Sequence, residues 1–349
     1  MILHVAGLGP LIPPFIKLIE QEFPGEDHQF WLRGAKEKYP VHESDKVYVC
    51  SNRFFKGARG YFRLLYQLHS AKKIILHGLF DIRVIALLVM CPWLLAKCYW
   101  VIWGGDLYQY TKSSEHWKSR VSEILRRYVI RRVGHLVTYI DGDVELAREW
   151  YGAKGKHHEC LMYLSNVVDP KVLEGTGARP HHKCWNILLG NSADPSNNHI
   201  EALERMLPFK DEAFKIYVPL SYGDQNHARK VIKQGKEWFG EKIEPLTGFM
   251  PFEQYLEFLK NIDIAIFNHR RQQAMGNTIT LLGMGKTVFM RSDVSQWHFL
   301  KGLGVKLNEI DNLDLCILTT KEAEGNVNRV YSYFSKENLI SQLEGVLTK

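Results

Sequence analysis

What this sequence lacks narrows it first. Its six cysteines, Cys50, Cys91, Cys98, Cys160, Cys184 and Cys316, form no C-x-x-C pair, which argues against a zinc site or a disulfide framework and suits a reducing compartment. The longest apolar run, residues 84–96, is interrupted by Pro92. A spanning helix needs about twenty apolar residues, so no transmembrane segment is expected. No G-x-x-x-x-G-K-[ST] pattern occurs, which excludes a P-loop. The opening "MILHVAGLGP" has no basic leader and reads as a first buried strand instead of a signal. Its "GLG" lacks the third glycine of a dinucleotide fingerprint and is followed by Pro10. Gly7 and Gly9 either admit a ligand to bare backbone or make a plain tight turn. There is no short repeat, low-complexity tract, nucleic-acid signature or basic arm.

What remains is a chain of 349 residues with a net charge of +7. That length suits two domains, and the modest positive charge permits attraction to anionic lipid headgroups or phosphorylated ligands. Strand-like runs recur at residues 3–6, 29–32, 46–50, 73–76, 99–103 and 135–139, with amphipathic stretches between most of them. Around residues 168–182 the pattern yields to Gly, Pro and charge. It then restarts at 185–189, 214–218, 242–245, 262–267, 287–290 and 305–307, with helices fitting at 200–207, 227–239, 252–260 and 278–284. This rhythm predicts an α/β fold built on mainly parallel sheets. The expected division is a first domain over 1–168, a linker over 169–182, a second domain over 183–333 and a final helix in 334–349. Open α/β sheets bind ligands at their carboxyl strand ends, so two such domains in series are expected to face each other across a cleft.

Three segments of the second domain converge on such ends. The stretch "LLGNSADPSNNHIEAL" leaves an apolar strand through Gly190, Asn191, Ser192, Asp194, Ser196 and Asn197. It reads either as an anion seat at a helix amino-terminus or as an ordinary well-capped turn. In "YVPLSYG" a strand ends at Pro219 and a turn presents Tyr222. In "IFNHRRQQAMGNTITLLGMGK" a buried strand runs into Arg271, Gln272 and Gln273, then Gly276, Asn277 and Thr278 open a helix. A guanidinium fork matches phosphate oxygens, and glycine lets them approach backbone N–H groups. The pattern suggests a diphosphate site; the alternative is a solvated arginine beside a common helix cap.

In the first domain "IILHGLF" puts His77 at a strand end, and "YWVIWGGDLYQY" puts Gly104, Gly105, Asp106 and Tyr108 at the next. A histidine and a carboxylate there suit a base and its orienting partner, although each taken singly also reads as a core imidazole or a helix cap. Asp141 and Asp143 resemble a D-x-D metal motif but are explained as the start of a helix. The pairs His157–His158 and His181–His182 lack a third ligand, so no metal is expected. Residues 116–133 form a basic amphipathic helix, with Arg120, Arg127 and Arg131 along the edge of its apolar face. That suits either a packed helix with a charged rim or a helix resting on anionic lipid.

Five stretches, "HGLF", "IWGGDLY", "GNSADPSNNHIEAL", "VPLSYG" and "RQQAMGNT", occur in an order that resembles the bacterial TDP-N-acetylfucosamine:lipid II N-acetylfucosaminyltransferases, glycosyltransferase family 56. The family pattern has Ala where Gly105 stands and Thr near Asn277, and it does not share Asp141. The resemblance implies a GT-B fold, two Rossmann-like domains with the donor in the second and the acceptor in the first. It also implies catalysis without an obligatory metal and no cofactor. The donor implied is a TDP-linked 4-acetamido-4,6-dideoxygalactose, bound by Gly190, Asn191, Ser192, Asp194, Ser196, Asn197, Pro219, Tyr222, Arg271, Gln272, Gln273, Gly276, Asn277 and Thr278. The acceptor implied is a polyprenyl-diphosphate-linked saccharide in enterobacterial common antigen synthesis; Gly104, Gly105 and Tyr108 from the matching stretches, with Gly7 and Gly9 from the first strand end, are its candidate residues. Arg271 is then expected to stabilise the leaving diphosphate, and Asp106 or His77 to accept the proton. The expected site of action is the cytoplasmic face of the bacterial inner membrane, with peripheral association through the 120–132 helix and neighbouring apolar surface.

Overall fold

The computed structural model describes residues 1–50, 54–111, 117–168 and 184–348. The expected linker, with His181 and His182, lies outside the described residues. The chain forms two compact units: Met1–Ser165 with Lys336–Lys349, and Asn166–Ser335.

The first unit runs β1 (Ile2–Gly7), α1 (Ile12–Glu22), β2 (His28–Arg33), β3 (Val47–Cys50), α2 (Phe54–Ser70), β4 (Lys73–His77), α3 (Ile82–Met90), β5 (Cys98–Val101), α4 (Trp117–Arg132), β6 (His135–Val137), α5 (Asp141–Tyr151) and β7 (Lys156–His158). The second runs β8 (Trp185–Leu189), α6 (His199–Met206), β9 (Phe214–Pro219), α7 (Gln225–Phe239), β10 (Ile243–Leu246), α8 (Phe252–Lys260), β11 (Ile264–Phe267), α9 (Met275–Gly283), β12 (Thr287–Met290), α10 (Ser295–Gly302), β13 (Asn308–Glu309) and α11 (Thr320–Tyr333). The last helix, α12 (Lys336–Leu347), returns to the first unit. There Lys73 Nζ donates to the carbonyls of Val346 and Leu347, a cation satisfying the free carbonyls at a helix carboxyl end.

Both sheets are parallel throughout. Their orders are β3-β2-β1-β4-β5-β6-β7 and β10-β9-β8-β11-β12-β13. Burial on both faces explains why the strands read as continuous apolar runs instead of alternating ones. In the first unit Leu3, Ile74, Leu76, Trp100 and Leu136 pack against Leu64, Leu68, Ile85, Leu88, Val129 and Ala147 from the helices between β3 and β7. In the second, Ile187, Leu189, Ile216, Val218, Ile264 and Ile266 pack against Leu203, Met206 and Val231.

Strand order reverses between β1 and β4 in one sheet and between β8 and β11 in the other. A crevice opens outside the carboxyl ends of the strands at such a switch point, where ligands bind in open α/β sheets. The segments singled out in the sequence leave from these positions: Gly7 ends β1, His77 ends β4, Gly190 follows β8 and Asn268 follows β11. The expected strand over 305–307 forms its ladder slightly later, with Phe289 opposite Asn308 and Met290 opposite Glu309. Val305 and Leu307 are buried by packing instead. Asp141 and Asp143 fall in the first turn of α5 behind an Ile140 cap, where negative charge complements the helix dipole. Among the described residues, no three His, Cys, Asp or Glu side chains gather closely enough to hold a metal ion.

Candidate active site

At the second switch point the loop after β8 is tied down almost entirely by its own polar side chains. Gly190 has φ +70, and a Cβ there would stand 2.6 Å from His199 Nε2 and 2.8 Å from Asn197 Oδ1, so the position needs glycine. Asn197 Oδ1 accepts from Asn191 N at 2.9 Å and from His269 Nε2 at 2.8 Å. Asn197 Nδ2 donates to the Asp194 carbonyl at 2.9 Å. Asp194 caps a 3-10 turn over Pro195–Asn197 through its Oδ1, which accepts from Ser196 N. The expected helix therefore begins after this turn, once Asn198 has adopted a left-handed conformation.

Three further strand ends join this loop. Asn191 Nδ2 donates to Tyr222 Oη at 3.1 Å and Asn191 Oδ1 accepts from Gln273 Nε2 at 3.0 Å. Ser196 Oγ donates to Gln273 Oε1 at 2.6 Å, while Gln273 N donates to Gln296 Oε1 at 3.0 Å. Gly223, at φ +111, lies so close to Ala193 that a Cβ would stand 2.7 Å from its carbonyl carbon. Arg271 Nη2 lies 3.7 Å from Asp194 Oδ2, and its side chain is about one-fifth exposed. Asn191, Asp194, Ser196, Tyr222 and Gln273 therefore share one hydrogen-bonded assembly, and Arg271 stands at its edge as an ion-pair partner of Asp194.

The helix behind it starts without a side-chain cap. Ala274 caps α9 with φ +57 and no side-chain hydrogen bond. A non-glycine residue in that region stores strain of order 1–2 kcal/mol, which clusters at functional sites. The first-turn N–H groups of a helix have no intrahelical partner, which leaves those of Met275, Gly276 and Asn277 outside the helix's own ladder, a few residues from Arg271. Other expected donor residues serve the scaffold. Ser192, Asn197 and Thr278 are buried; Thr278 Oγ1 donates to the Ala274 carbonyl, and Asn277 Nδ2 donates to Tyr255 Oη at 3.0 Å. Pro219 is the buried last residue of β9, and Gln272 offers its carbonyl to Arg271. His199, His269 and Gln296 were not singled out in the sequence, yet all three are buried at the loop. Their only sequence signal is polarity beside strand ends. Burial, with Arg271 nearby, pushes His269 down to about 3, so it is a neutral imidazole.

The first switch point corrects two sequence expectations. Asp106 is completely buried. Its Oδ2 accepts from Leu79 N at 2.9 Å and Trp100 Nε1 at 2.7 Å, and its Oδ1 accepts from Trp103 N and Leu107 N, both at 3.0 Å. A carboxylate with both oxygens committed to four donors fastens the loop around Gly104 and Gly105, so it is not a base open to substrate. His77 is 2 % exposed, and burial pushes its imidazole down to about 3; Tyr163 and His4 engage both its nitrogens. It is not an independent solvent-facing base either. Tyr108 also turns inward, its ring edge-on to Trp150 at 5.1 Å.

A cavity of about 360 Å³ opens here, lined by Gly7, Arg33, Gly34, His77, Phe80 and Asp81 among others. Gly9, expected beside Gly7, is not among its lining residues. Arg33 Nη1 pairs with Asp81 Oδ2 at 2.6 Å, and Tyr61 Oη donates to the same oxygen at 3.1 Å. The sequence reading missed Arg33 and Asp81. The available signal was a charged residue closing an apolar strand in "FWLRG" and a helix-capping aspartate in "HGLFD".

Two parallel-sheet units, each gathering polar side chains at its switch point, are the Rossmann-like domains of a GT-B glycosyltransferase. Solved structures agree in fold over nearly the full chain. WaaG, a glycosyltransferase involved in lipopolysaccharide biosynthesis, superposes with TM-score 0.60 at 9% identity, covering 99% of this chain and 98% of its own. HepE from Anabaena, in complex with UDP, gives 0.65 at 12% identity, covering 99% of each chain. Trehalose-6-phosphate synthase OtsA gives 0.65 at 9%, covering 100% and 98%. The chain belongs to the 4-alpha-L-fucosyltransferase family, glycosyl transferase group 56, whose model matches residues 65–336. It is a glycosyltransferase, acting with a nucleotide-sugar donor and a glycan acceptor.

Proposed function

We propose that this enzyme transfers 4-acetamido-4,6-dideoxygalactose from a TDP-sugar to a polyprenyl-diphosphate-linked saccharide, in enterobacterial common antigen or related surface-glycan synthesis. The reading is supported above all by Arg271 standing beside the uncapped amino-terminus of α9 at a strand-order reversal. As the sugar–phosphate bond breaks, negative charge grows on the diphosphate. Arg271 and the N–H groups of Met275, Gly276 and Asn277 offset that charge, and such preorganised donors usually lower the barrier more than any other single effect. Asp194, now 3.7 Å from the guanidinium, keeps Arg271 oriented until phosphate oxygens replace it. The polar assembly of Asn191, Ser196, Tyr222 and Gln273 supplies contacts for the sugar nucleotide, and the cavity at Arg33 and Asp81 receives the acceptor.

Action at the cytoplasmic face of the inner membrane is part of the same proposal. Residues 54–133 carry fourteen Lys and Arg against four Asp and Glu, while the whole chain is only +7, so the rest of the chain is net acidic. The same segment exposes Phe62, Tyr66, Met90, Trp93, Trp117 and Ile124. Aromatic and aliphatic side chains set among cations are the chemistry of an anionic lipid surface. No helix among the described residues is long and apolar enough to cross a membrane; the attachment proposed is peripheral. Co-sedimentation with vesicles should rise with their anionic lipid content, and indifference to that content removes this part of the proposal.

A thermal-shift screen against TDP-, UDP- and GDP-sugars, followed by transfer assays, tests the donor, because a ligand that binds only the native state raises its melting temperature. A TDP-sugar should give the largest shift. A larger shift with a UDP- or GDP-sugar would assign the enzyme to another donor.

A further inference from the structure

One buried chain of side chains in the first unit has no place in the scheme above. Trp103 Nε1 lies 3.0 Å from Tyr163 Oη, which lies 2.5 Å from His77 Nδ1. His77 Nε2 lies 3.1 Å from His4 Nδ1, and His4 Nε2 lies 2.9 Å from His28 Nδ1. His77 closes β4, His4 sits within β1 and His28 opens β2, so the chain crosses the sheet from its carboxyl edge to its amino edge. All three imidazoles and the phenol are buried. They are packed among aromatics, with His4 stacked on Phe30 at 4.5 Å and edge-on to Phe15.

A relay needs every bond to run the same way. An indole N–H only donates, so Tyr163 Oη accepts from Trp103; in the relay it gives its own proton to His77 Nδ1. His77 is then protonated on Nε2 and donates to His4 Nδ1. His4 is in turn protonated on Nε2 and donates to His28 Nδ1. His28 Nε2 is left protonated, buried and without a hydrogen-bond partner, on the side of the exposed Glu26 and Asp27. Burying four polar side chains in an apolar layer and leaving one end unsatisfied costs stability. Apolar residues of the same size would pack there without that cost.

We infer that Tyr163, His77, His4 and His28 form a proton relay serving the transfer reaction, an inference that rests on the glycosyl-transfer reading above. Tyr163 Oη keeps one lone pair at the end of the chain, and its partner His77 lines the cavity. In the transfer step the acceptor O–H bond breaks and its electron pair forms the new glycosidic bond, while the sugar–phosphate bond breaks with its electrons leaving on the diphosphate. The freed proton enters at Tyr163 Oη and the phenolic proton moves to His77 Nδ1. The Nε2 protons of His77 and His4 each move one ring onward, and His28 releases its own from Nε2 toward solvent at Glu26 and Asp27. Each member gains one proton and loses one, so no charge is lodged in the core. After product leaves, the sequence runs backward, with a proton taken up at His28 and one given to water in the cavity.

The test is His4→Phe, which breaks the relay away from the cavity and puts a ring of suitable shape beside Phe15 and Phe30. With folding verified by circular dichroism, kcat should fall about 100-fold, the lower range for acid–base catalysis. KM should stay within a factor of three, and the solvent deuterium isotope effect on kcat should change. Tyr163→Phe, which deletes one oxygen, should give the same pattern if His4→Phe fails to fold. A folded variant of either kind with wild-type kcat and isotope effect overturns the relay. Imidazole ¹⁵N NMR of the wild-type enzyme supplies a readout independent of turnover. His4 and His77 should both be Nε2-protonated, and an Nδ1-protonated ring at either position also overturns it. A wild-type enzyme that transfers no sugar refutes the functional reading instead, while the NMR result still decides whether the relay exists.

Discussion

Asp106→Asn separates two roles that a carboxylate at a strand end can play. In the wild-type protein each carboxylate oxygen accepts two hydrogen bonds, four in all, from Leu79 N, Trp100 Nε1, Trp103 N and Leu107 N. Asparagine keeps one acceptor oxygen and turns an NH₂ group toward two of those donors. Two buried N–H groups then lose charge-assisted bonds, each worth about 1.5–3 kcal/mol. Part of that loss is offset because a buried charge disappears: desolvation already holds the Asp106 pKa above the ordinary carboxylate value. The net destabilisation is about 3 kcal/mol, a fall in melting temperature of about 6–12 °C for a domain of this size. Differential scanning calorimetry measures that fall, and turnover assayed well below the transition should remain within about threefold of wild type. An unchanged melting temperature with turnover reduced 100-fold or more would refute the reasoning and restore Asp106 as the proton acceptor.

The remaining predictions address charge, strain and pH. Arg271→Ala should lower kcat/KM by about 10²–10³, the usual loss when one preorganised donor to developing charge is removed, with a near-native melting curve because its partner in the free enzyme is an accessible Asp194. Ala274→Gly should stabilise the protein by up to about 1 kcal/mol in urea melts. It relieves a left-handed φ of +57, less the greater unfolded-state freedom of glycine. Burial holds His77 near 3, His28 near 4 and His4 well below its ordinary value of 6.5. Each is neutral when folded but takes up a proton below about pH 6.5 when unfolded, so stability is complete above that pH and is lost as pH falls toward 4. The slope approaches about 1.4 kcal/mol per pH unit for each histidine. Urea titrations between pH 5 and 7.5 check this, and a flat profile would mean that these rings are charged in the fold.

The architecture was legible because parallel strands buried on both faces leave uninterrupted apolar runs, and eleven of the twelve runs expected overlap the thirteen strands observed among the described residues. The two strands not matched, β7 and β13, are the polar edge strands Lys156–His158 and Asn308–Glu309, which have no apolar run to reveal them. Helix α11 was overlooked although Thr319 and Glu322 form a capping box, a signal present in "TTKEAEG". The return of α12 to the first unit had no local signal. It is fastened there by partners distant in sequence: Lys73, more than 270 residues away, Glu22 paired with Lys336, and Leu161 N donating to Gln342.

The site divides along the same physical line. Backbone-dominated features, a turn after a strand or an uncapped helix start, are written locally and led to Gly190, Arg271 and the residues of α9. Side-chain direction is not written locally. "HGLF" and "GGDLY" read identically whether His77 and Asp106 face a substrate or turn inward, and four backbone and indole donors decided the matter for Asp106. His4, His28 and Tyr163 belong to segments with no common motif and meet only through sheet register, His4 opposite Phe30 on one side and Ile75 on the other. A histidine in the middle of the apolar strand "ILHVAG" was nonetheless a local contradiction, a polar ring where the pattern demands an aliphatic one. Such contradictions concentrate at functional sites. That is the ground on which His4, remote from any substrate, is expected to govern kcat.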